Sequence, residues 1–294
     1  AEQDAFHLES LEEQKKVWFS GITKETFVAL QNSAAGSGQP IELALELDRP
    51  EWYKAYLSME SGVFFDAYFR KNQIPDPPLF HPDRLYIGNA FCPHLAPTEE
   101  ELFALMDKAC RESFSITLTF PFLLEENLSE TQQRLQRLAE WCERKNKTVE
   151  LVVNDWGMAS LVKKSRRNLI PSLGILLNKR RKDPRIPFKK GEQKWFERNS
   201  LNAGFYRNFL EREYGIQRFE WESCGYPQEF PPGKNSLHLP FYQTNTSQYC
   251  PLYALCTTGD RGTQQLAEHC PKFCEKYALL YPEHLHMAGR YNSL

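Results

Sequence analysis

Beyond Pro82 the chain repeats one unit: a short apolar run, then a longer stretch of helical period, with a new run about every 25 to 40 residues. The runs are residues 84–88, 114–120, 149–153, 172–177, 219–222 and 236–241. Between them, residues 98–111, 129–145, 158–164 and 200–214 read as helices. Thr98 stands at an N-cap position, and Glu99, Glu100 and Glu101 follow it, where carboxylates oppose the positive end of the helix dipole. Ser129 and Gln132 have capping-box spacing, and Leu135, Leu138 and Trp141 share one face. Strands joined by helical crossovers run parallel. No Gly-x-Gly-x-x-Gly follows the first strand, which argues against a dinucleotide fold. The pattern predicts an α/β, TIM-barrel-like parallel barrel, incomplete or irregular.

The first 80 residues read differently, as an N-terminal strand-containing appendage to a barrel domain spanning 81–294. Residues 9–18 are charged and helix-prone. Residues 33–40 (Ser-Ala-Ala-Gly-Ser-Gly-Gln-Pro) form a loop by their breakers, and residues 41–47 alternate apolar with acidic side chains as a half-buried strand does. Residues 62–69 are a second apolar, aromatic run, and Pro75, Pro77, Pro78 and Pro82 punctuate a linker. The net charge of −2 makes the whole molecule no general polyanion binder, and no run of 18 apolar residues predicts a membrane-spanning helix. The chain opens Ala-Glu-Gln without an apolar leader, so the expectation is a cytoplasmic protein with reduced thiols.

Half of the eight cysteines fall within residues 250–274: Cys250, Cys256, Cys270 and Cys274, spaced C-x5-C-x13-C-x3-C. Thiolates at short spacing suit zinc or an iron–sulfur cluster. The spacing is neither the C-x2-C pair of a zinc ribbon nor the tight run of bacterial ferredoxins, so the metal stays open. Two disulfides and free buried thiols are the alternatives. Cys110 and Cys142 fall on helices and read as core. Cys224, after Glu220-Trp-Glu222, reads as structural.

The stretch Asp83-Arg-Leu-Tyr-Ile-Gly-Asn-Ala-Phe-Cys92 resembles the first-strand motif of the collagenase-like peptidase superfamily (peptidase family U, number 32), nearest its iron–sulfur ubiquinone-biosynthesis accessory branch. Asn154-Asp-Trp-Gly157 resembles an Asp-x-Gly turn of the same superfamily. His238-Leu-Pro240, Cys250 and Cys270-x3-Cys274 resemble the branch's remaining pattern. Together these matches cover most of 83–280, and residues 1–80 find no counterpart. The resemblance implies a [4Fe–4S] cluster held by Cys92, Cys250, Cys270 and Cys274, with Cys256 as substitute ligand. It further implies oxygen-independent hydroxylation, as catalyst or accessory. Zinc in a binding or scaffold protein is the alternative, and a peptidase the weaker one. The stretch Thr244-Asn-Thr-Ser-Gln-Tyr-Cys250 lacks the glycine of the peptidase-type signature. The chain also has no Gly-x-Ser-x-Gly and no His-Glu-x-x-His. His94, His238, His269, His284 and His286 show no ligand spacing of their own; His269, beside Cys270, is a candidate outer-shell group.

Twelve Lys or Arg lie between Lys163 and Lys194, opposed only by Asp183 and Glu192. Such a run is a solvated face or the footprint of an anionic partner. Lys179, Arg180, Arg181, Lys182 and Arg185 are the candidate contacts. RNA enters as a partner because other branches of the superfamily act on RNA bases, and a protein partner is a further expectation. Phe188, Trp195 and Phe196 could stack on bases or belong to the core.

Overall fold

A computed structural model describes residues 5–7, 41–72, 74, 81–165, 168–178, 180, 197–224, 228–239, 241–280, 287–289 and 291–293. The strands are β1 (Ala5–His7), β2 (Ala44–Leu47), β3 (Arg84–Gly88), β4 (Ser115–Thr119), β5 (Val149–Val153), β6 (Leu169–Leu173), β7 (Arg218–Glu222), β8 (Lys234–His238), β9 (Tyr277–Leu280) and β10 (Ala288–Gly289). The helices are α1 (Pro50–Ser58), α2 (Ser61–Lys71), α3 (Glu99–Arg111), α4 (Leu128–Lys145), α5 (Trp156–Lys164), α6 (Gly204–Phe209) and α7 (Pro251–Thr258). Seven strands form one all-parallel sheet in the order β2-β3-β4-β5-β6-β7-β8. β2 and β8 end that order, so the architecture is the incomplete TIM-barrel-like α/β fold. A separate three-stranded sheet has β9 at its centre, antiparallel to β1 and to β10.

The chain divides into two compact units. One comprises residues 9–89 and 95–118. Its core is aromatic: Trp52, Tyr56, Phe64, Phe65 and Tyr68 meet edge-on or tilted, and Phe114 adds an edge contact to Phe65. The run 62–69 is therefore a helix, α2, whose buried face is Phe64, Phe65 and Phe69. The apolar residues of that run fit 3.6-residue spacing once Trp52 and Tyr56 of α1 are placed opposite. The strand expected at 41–47 forms as β2 and pairs with β3 in parallel, Leu45 opposite Leu85. Thr98 and Glu101 make the reciprocal bonds of a capping box at the start of α3. Arg84, buried on β3, donates to Glu42 Oε2 (3.0 Å) and Thr117 Oγ1 (3.0 Å), so its charge and fork are met inside the unit.

The other unit comprises residues 1–8, 90–94 and 119–294. All five residues of β5 are buried. α5 packs on β5 and β6, and α4 on β6. The helices present Leu135, Leu138, Trp141, Met158, Leu161 and Val162 from their buried faces. Leu151, Val153 and Leu173 are fully buried beneath them. Three local expectations shift. Ser129 caps nothing, because α4 begins one residue earlier and its N-cap, Asn127, makes no side-chain bond. The strand expected at 172–177 is Leu169–Leu173. Gly174 ends it: a Cβ there would lie 2.1 Å from Asn154 Oδ1 and 2.8 Å from the Val153 carbonyl oxygen. The helix expected at 200–214 is a 3-10 turn (Ser200–Asn202), α6 and a π-turn (Leu210–Tyr214), closed by Gly215 at φ 73°.

Candidate active site

Strand β7 reads Arg218-Phe-Glu-Trp-Glu222. Alternate residues of a strand point to opposite faces, so Phe219 and Trp221 share one face and Arg218, Glu220 and Glu222 the other. The parallel register sets Ser172 opposite Arg218, Glu220 opposite Ser236, and Glu222 opposite His238. One face of β5–β8 is therefore largely polar, with Val152 and Ile170 its apolar members. Parallel strands ordinarily read as continuous apolar runs because both faces are covered. A charged residue at every second position of β7 departs from that rule.

Glu220 is fully buried. A buried carboxylate persists only if its oxygens are met by donors. Ser172 Oγ donates to Oε1 (2.5 Å), and His238 Nε2–H donates to Oε2 (2.9 Å). The carboxylate side chain is 1% exposed and the imidazole 22%, so Glu220 is the buried anchor and His238 the member that reaches solvent. Beside them Arg218 Nε pairs with Glu150 Oε2 (3.0 Å), and its Nη1 donates to Ser236 Oγ (3.2 Å). Asn178 Nδ2 donates to the Glu220 carbonyl oxygen (2.9 Å). Its Oδ1 is buried with no partner among the described residues.

Glu222 lies at the C-terminal end of β7, the end at which barrel proteins gather their chemistry. Its Oε1 accepts the backbone N–H of Gln243 (2.8 Å), and its Oε2 lies 3.5 Å from Arg180 Nη2. Arg180 also donates to the Glu222 carbonyl oxygen (2.6 Å), to Cys224 Sγ (3.3 Å) and to Gln228 Oε1. Its side chain is 3% exposed. The structure thus turns Arg180 inward as a clamp on the end of β7. Lys179, Arg181, Lys182 and Arg185 lie outside the described residues, as do Phe188, Trp195, Phe196, His284 and His286.

The cysteines do not form the expected centre. Among the described residues no group of three or more His, Cys, Asp or Glu is placed to hold a metal ion. The [4Fe–4S] cluster on Cys92, Cys250, Cys270 and Cys274, its variant with Cys256, and the zinc alternative are all corrected by this geometry. The iron–sulfur function, the hydroxylation role and the peptidase role attached to them lose their basis. The physical reason is local. Cys250 is the N-cap of α7, its Sγ accepting from Tyr253 N (3.4 Å) and donating to the Tyr291 carbonyl oxygen (2.9 Å). Cys256, six residues on, is rotated by about 240° around the helix at 100° per residue and is exposed. Cys270 Sγ accepts from Lys272 N (3.4 Å), while Cys274 is buried in the turn Phe273–Glu275. Lys272 between them has φ 60°, a left-handed kink that breaks any shared helical face. Cys92 is buried, and none of the eight cysteines is in a disulfide. Burial raises the Cys250 thiol above its ordinary value, against the backbone N–H groups of Tyr253 and Leu252, which lower it.

Two further motifs prove to be architectural. Asp155 caps α5, accepting Met158 N (2.7 Å) at Oδ1 and Leu123 N (2.8 Å) at Oδ2. Asn154 donates to the Phe120 carbonyl oxygen (3.3 Å). After the strand end at Gly88 (φ 117°), the Phe91 carbonyl oxygen and the Ser247 carbonyl oxygen both accept from Asn292 Nδ2 (2.7 Å each).

Sequence reasoning missed Ser172, Glu150, Arg218, Glu220 and the pairing of His238. The available signal was the charge alternation in β7, followed one strand later by a histidine in phase with it. No protein-family model matches the chain, and comparison with curated proteins and with solved structures likewise returns no match. No helix among the described residues is long and apolar enough to cross a membrane.

Proposed function

We propose that this chain is an enzyme of acid–base type, acting on a small polar substrate at the polar face of β5–β8, with His238 as the proton-transfer group. The observation that carries this reading is the buried Glu220, which holds Ser172 and His238 on its two oxygens. A carboxylate bonded to one imidazole nitrogen fixes the tautomer and orientation of the ring and supports the imidazolium form. With Nε2–H on Glu220, Nδ1 is the nitrogen that gains and loses the proton. Ser172 donates to the carboxylate, not to the imidazole, so the arrangement supports proton transfer over a serine nucleophile. The orphan Asn178 Oδ1 supports a ligand that brings its own hydrogen-bond donor.

An anionic partner, RNA included, belongs to the same proposal for the wider molecule. It is supported by the basic run in the sequence and by the exposure of Lys163 and Lys164 at its start. A cytoplasmic, reducing setting is supported by eight cysteines that form no disulfide. Kinship with the collagenase-like peptidase superfamily is proposed for the fold alone, on the order of its motifs and the parallel sheet.

The test is a panel of polar metabolites screened by thermal shift, with hits repeated on His238→Gln. The expected result is a set of compounds whose turnover by the wild-type chain falls at least 100-fold in His238→Gln, in line with loss of an acid–base group. Equal turnover by the two proteins would refute the assignment.

A further inference from the structure

On the unit that carries the candidate active site, α5, α6 and the π-turn expose a strip of aromatic rings. Trp156 lies 5.4 Å from Tyr214 between ring centroids, Tyr214 lies 5.9 Å from Phe209, and Phe209 lies 6.4 Å from Tyr206. Phe205, next to Tyr206 in the chain, is 79% exposed, and Phe209 and Trp156 are 43% and 40% exposed. The π-turn turns Leu210 into the core and leaves Tyr214 over α5. Turns of this kind are uncommon and recur at functional positions. Single exposed apolar residues are ordinary, but four rings in mutual contact with a fifth, Phe205, adjacent in the chain make a patch of the kind that marks an interaction surface.

Charge decides what kind of partner the strip suits. Lys163 Nζ stands 5.8 Å from the centroid of the Tyr214 ring and pairs with Glu213 Oε2 (3.2 Å). Lys164 and Arg212 are exposed and hold no ion pair among the described residues. Arg166 and Arg167 follow Lys164 in the sequence. Glu211, the other acid of the turn, is engaged by Gln217 Nε2 (2.7 Å). Every large exposed hydrophobic side chain of the strip is aromatic, and the cations Lys163, Lys164 and Arg212 outnumber the acids Glu211 and Glu213.

We propose that this strip is a docking surface for single-stranded nucleic acid, with bases stacking on Trp156, Phe205 and Phe209 and phosphates held by Lys164 and Arg212. Aromatic faces accept any base, and cations beside them track the backbone. The surface deepens the anionic-partner reading given above and is independent of the role assigned to His238.

The test uses fluorescence anisotropy with a labelled oligouridylate of about twelve nucleotides, a length that covers one such surface, over a series of salt concentrations. The wild-type chain is expected to bind the single strand more tightly than a duplex of the same length. Phe205→Ala/Phe209→Ala is expected to weaken binding at least about tenfold. Lys164→Ala/Arg212→Ala is expected to flatten the slope of log affinity against log salt by about 1.4, for two lost phosphate contacts on a single strand. Circular dichroism verifies that both variants stay folded, and the phenylalanine variant should keep any metabolite turnover that depends on His238. Absence of binding by the wild-type chain, equal binding by the phenylalanine variant, or tighter binding of the duplex would each overturn the proposal. Self-association of the wild-type chain that disappears in the phenylalanine variant, without RNA binding, would reassign the strip to protein docking.

Discussion

Glu220 shows how much one side chain can demand of its surroundings. A carboxylate with no access to water must keep its donors, and here Ser172 and His238 supply them. Replacing Ser172 and His238 together with Ala strands a buried charge and should cost about 3–5 kcal/mol. Glu220→Gln should cost less, because the amide keeps an acceptor for one donor. Urea denaturation of the variants gives the comparison, and a double substitution that costs under 1 kcal/mol would show that water reaches Glu220. The thiols supply a second residue-scale expectation. Burial, and then the charge of Glu143, push Cys142 from 9.0 up to about 11. The folded state thus holds this proton more tightly than the unfolded state does. Its contribution is fully present below about pH 9 and is lost as pH rises toward about pH 11. Cys142→Ala should therefore lose less stability across that window than the wild-type chain, measured by urea midpoints at both ends. At neutral pH a thiol-alkylating reagent should modify the exposed Cys256 well before Cys142 or Cys224, read by peptide mass spectrometry.

At the scale of elements, the helix after β3 and strands β3, β4, β5 and β7 were legible because each carries its own signal. Thr98 and the three glutamates announce α3, and the short apolar runs Leu85-Tyr-Ile87 and Leu151-Val-Val153 announce β3 and β5. What was not legible depends on partners remote in sequence. The run Gly62 to Phe69 becomes helical because Trp52 and Tyr56 offer an aromatic face to pack on. The cysteine spacing misled for a related reason, since spacing fixes separation along the chain but not direction. Cys250 points to Tyr291, and Cys256 points to solvent. The end of β6 depends on Gly174 lying against Asn154. Gly174→Ala should destabilise the protein by about 1–3 kcal/mol, the range for forcing an atom into filled space. Adding Asn154→Ala should recover only part of that loss, because the Val153 carbonyl oxygen remains within 2.8 Å. A double variant as stable as the wild-type chain would show that the backbone gives way instead.

Across the whole molecule, the parallel sheet followed from the strand–helix rhythm, while the three-stranded sheet did not, because nothing near β1 in sequence pairs with it. Ala5 stands opposite Leu279, and His7 opposite Tyr277. This pairing has a consequence for how the chain is made. A ribosome releases β1 about 270 residues before β9, so β1 waits through synthesis of the parallel sheet before its partner exists. Contacts of such sequence separation close late and slowly. The βα units can assemble as they emerge; the small sheet closes after them, and its closure ties residues 5–7 to residues 277–280.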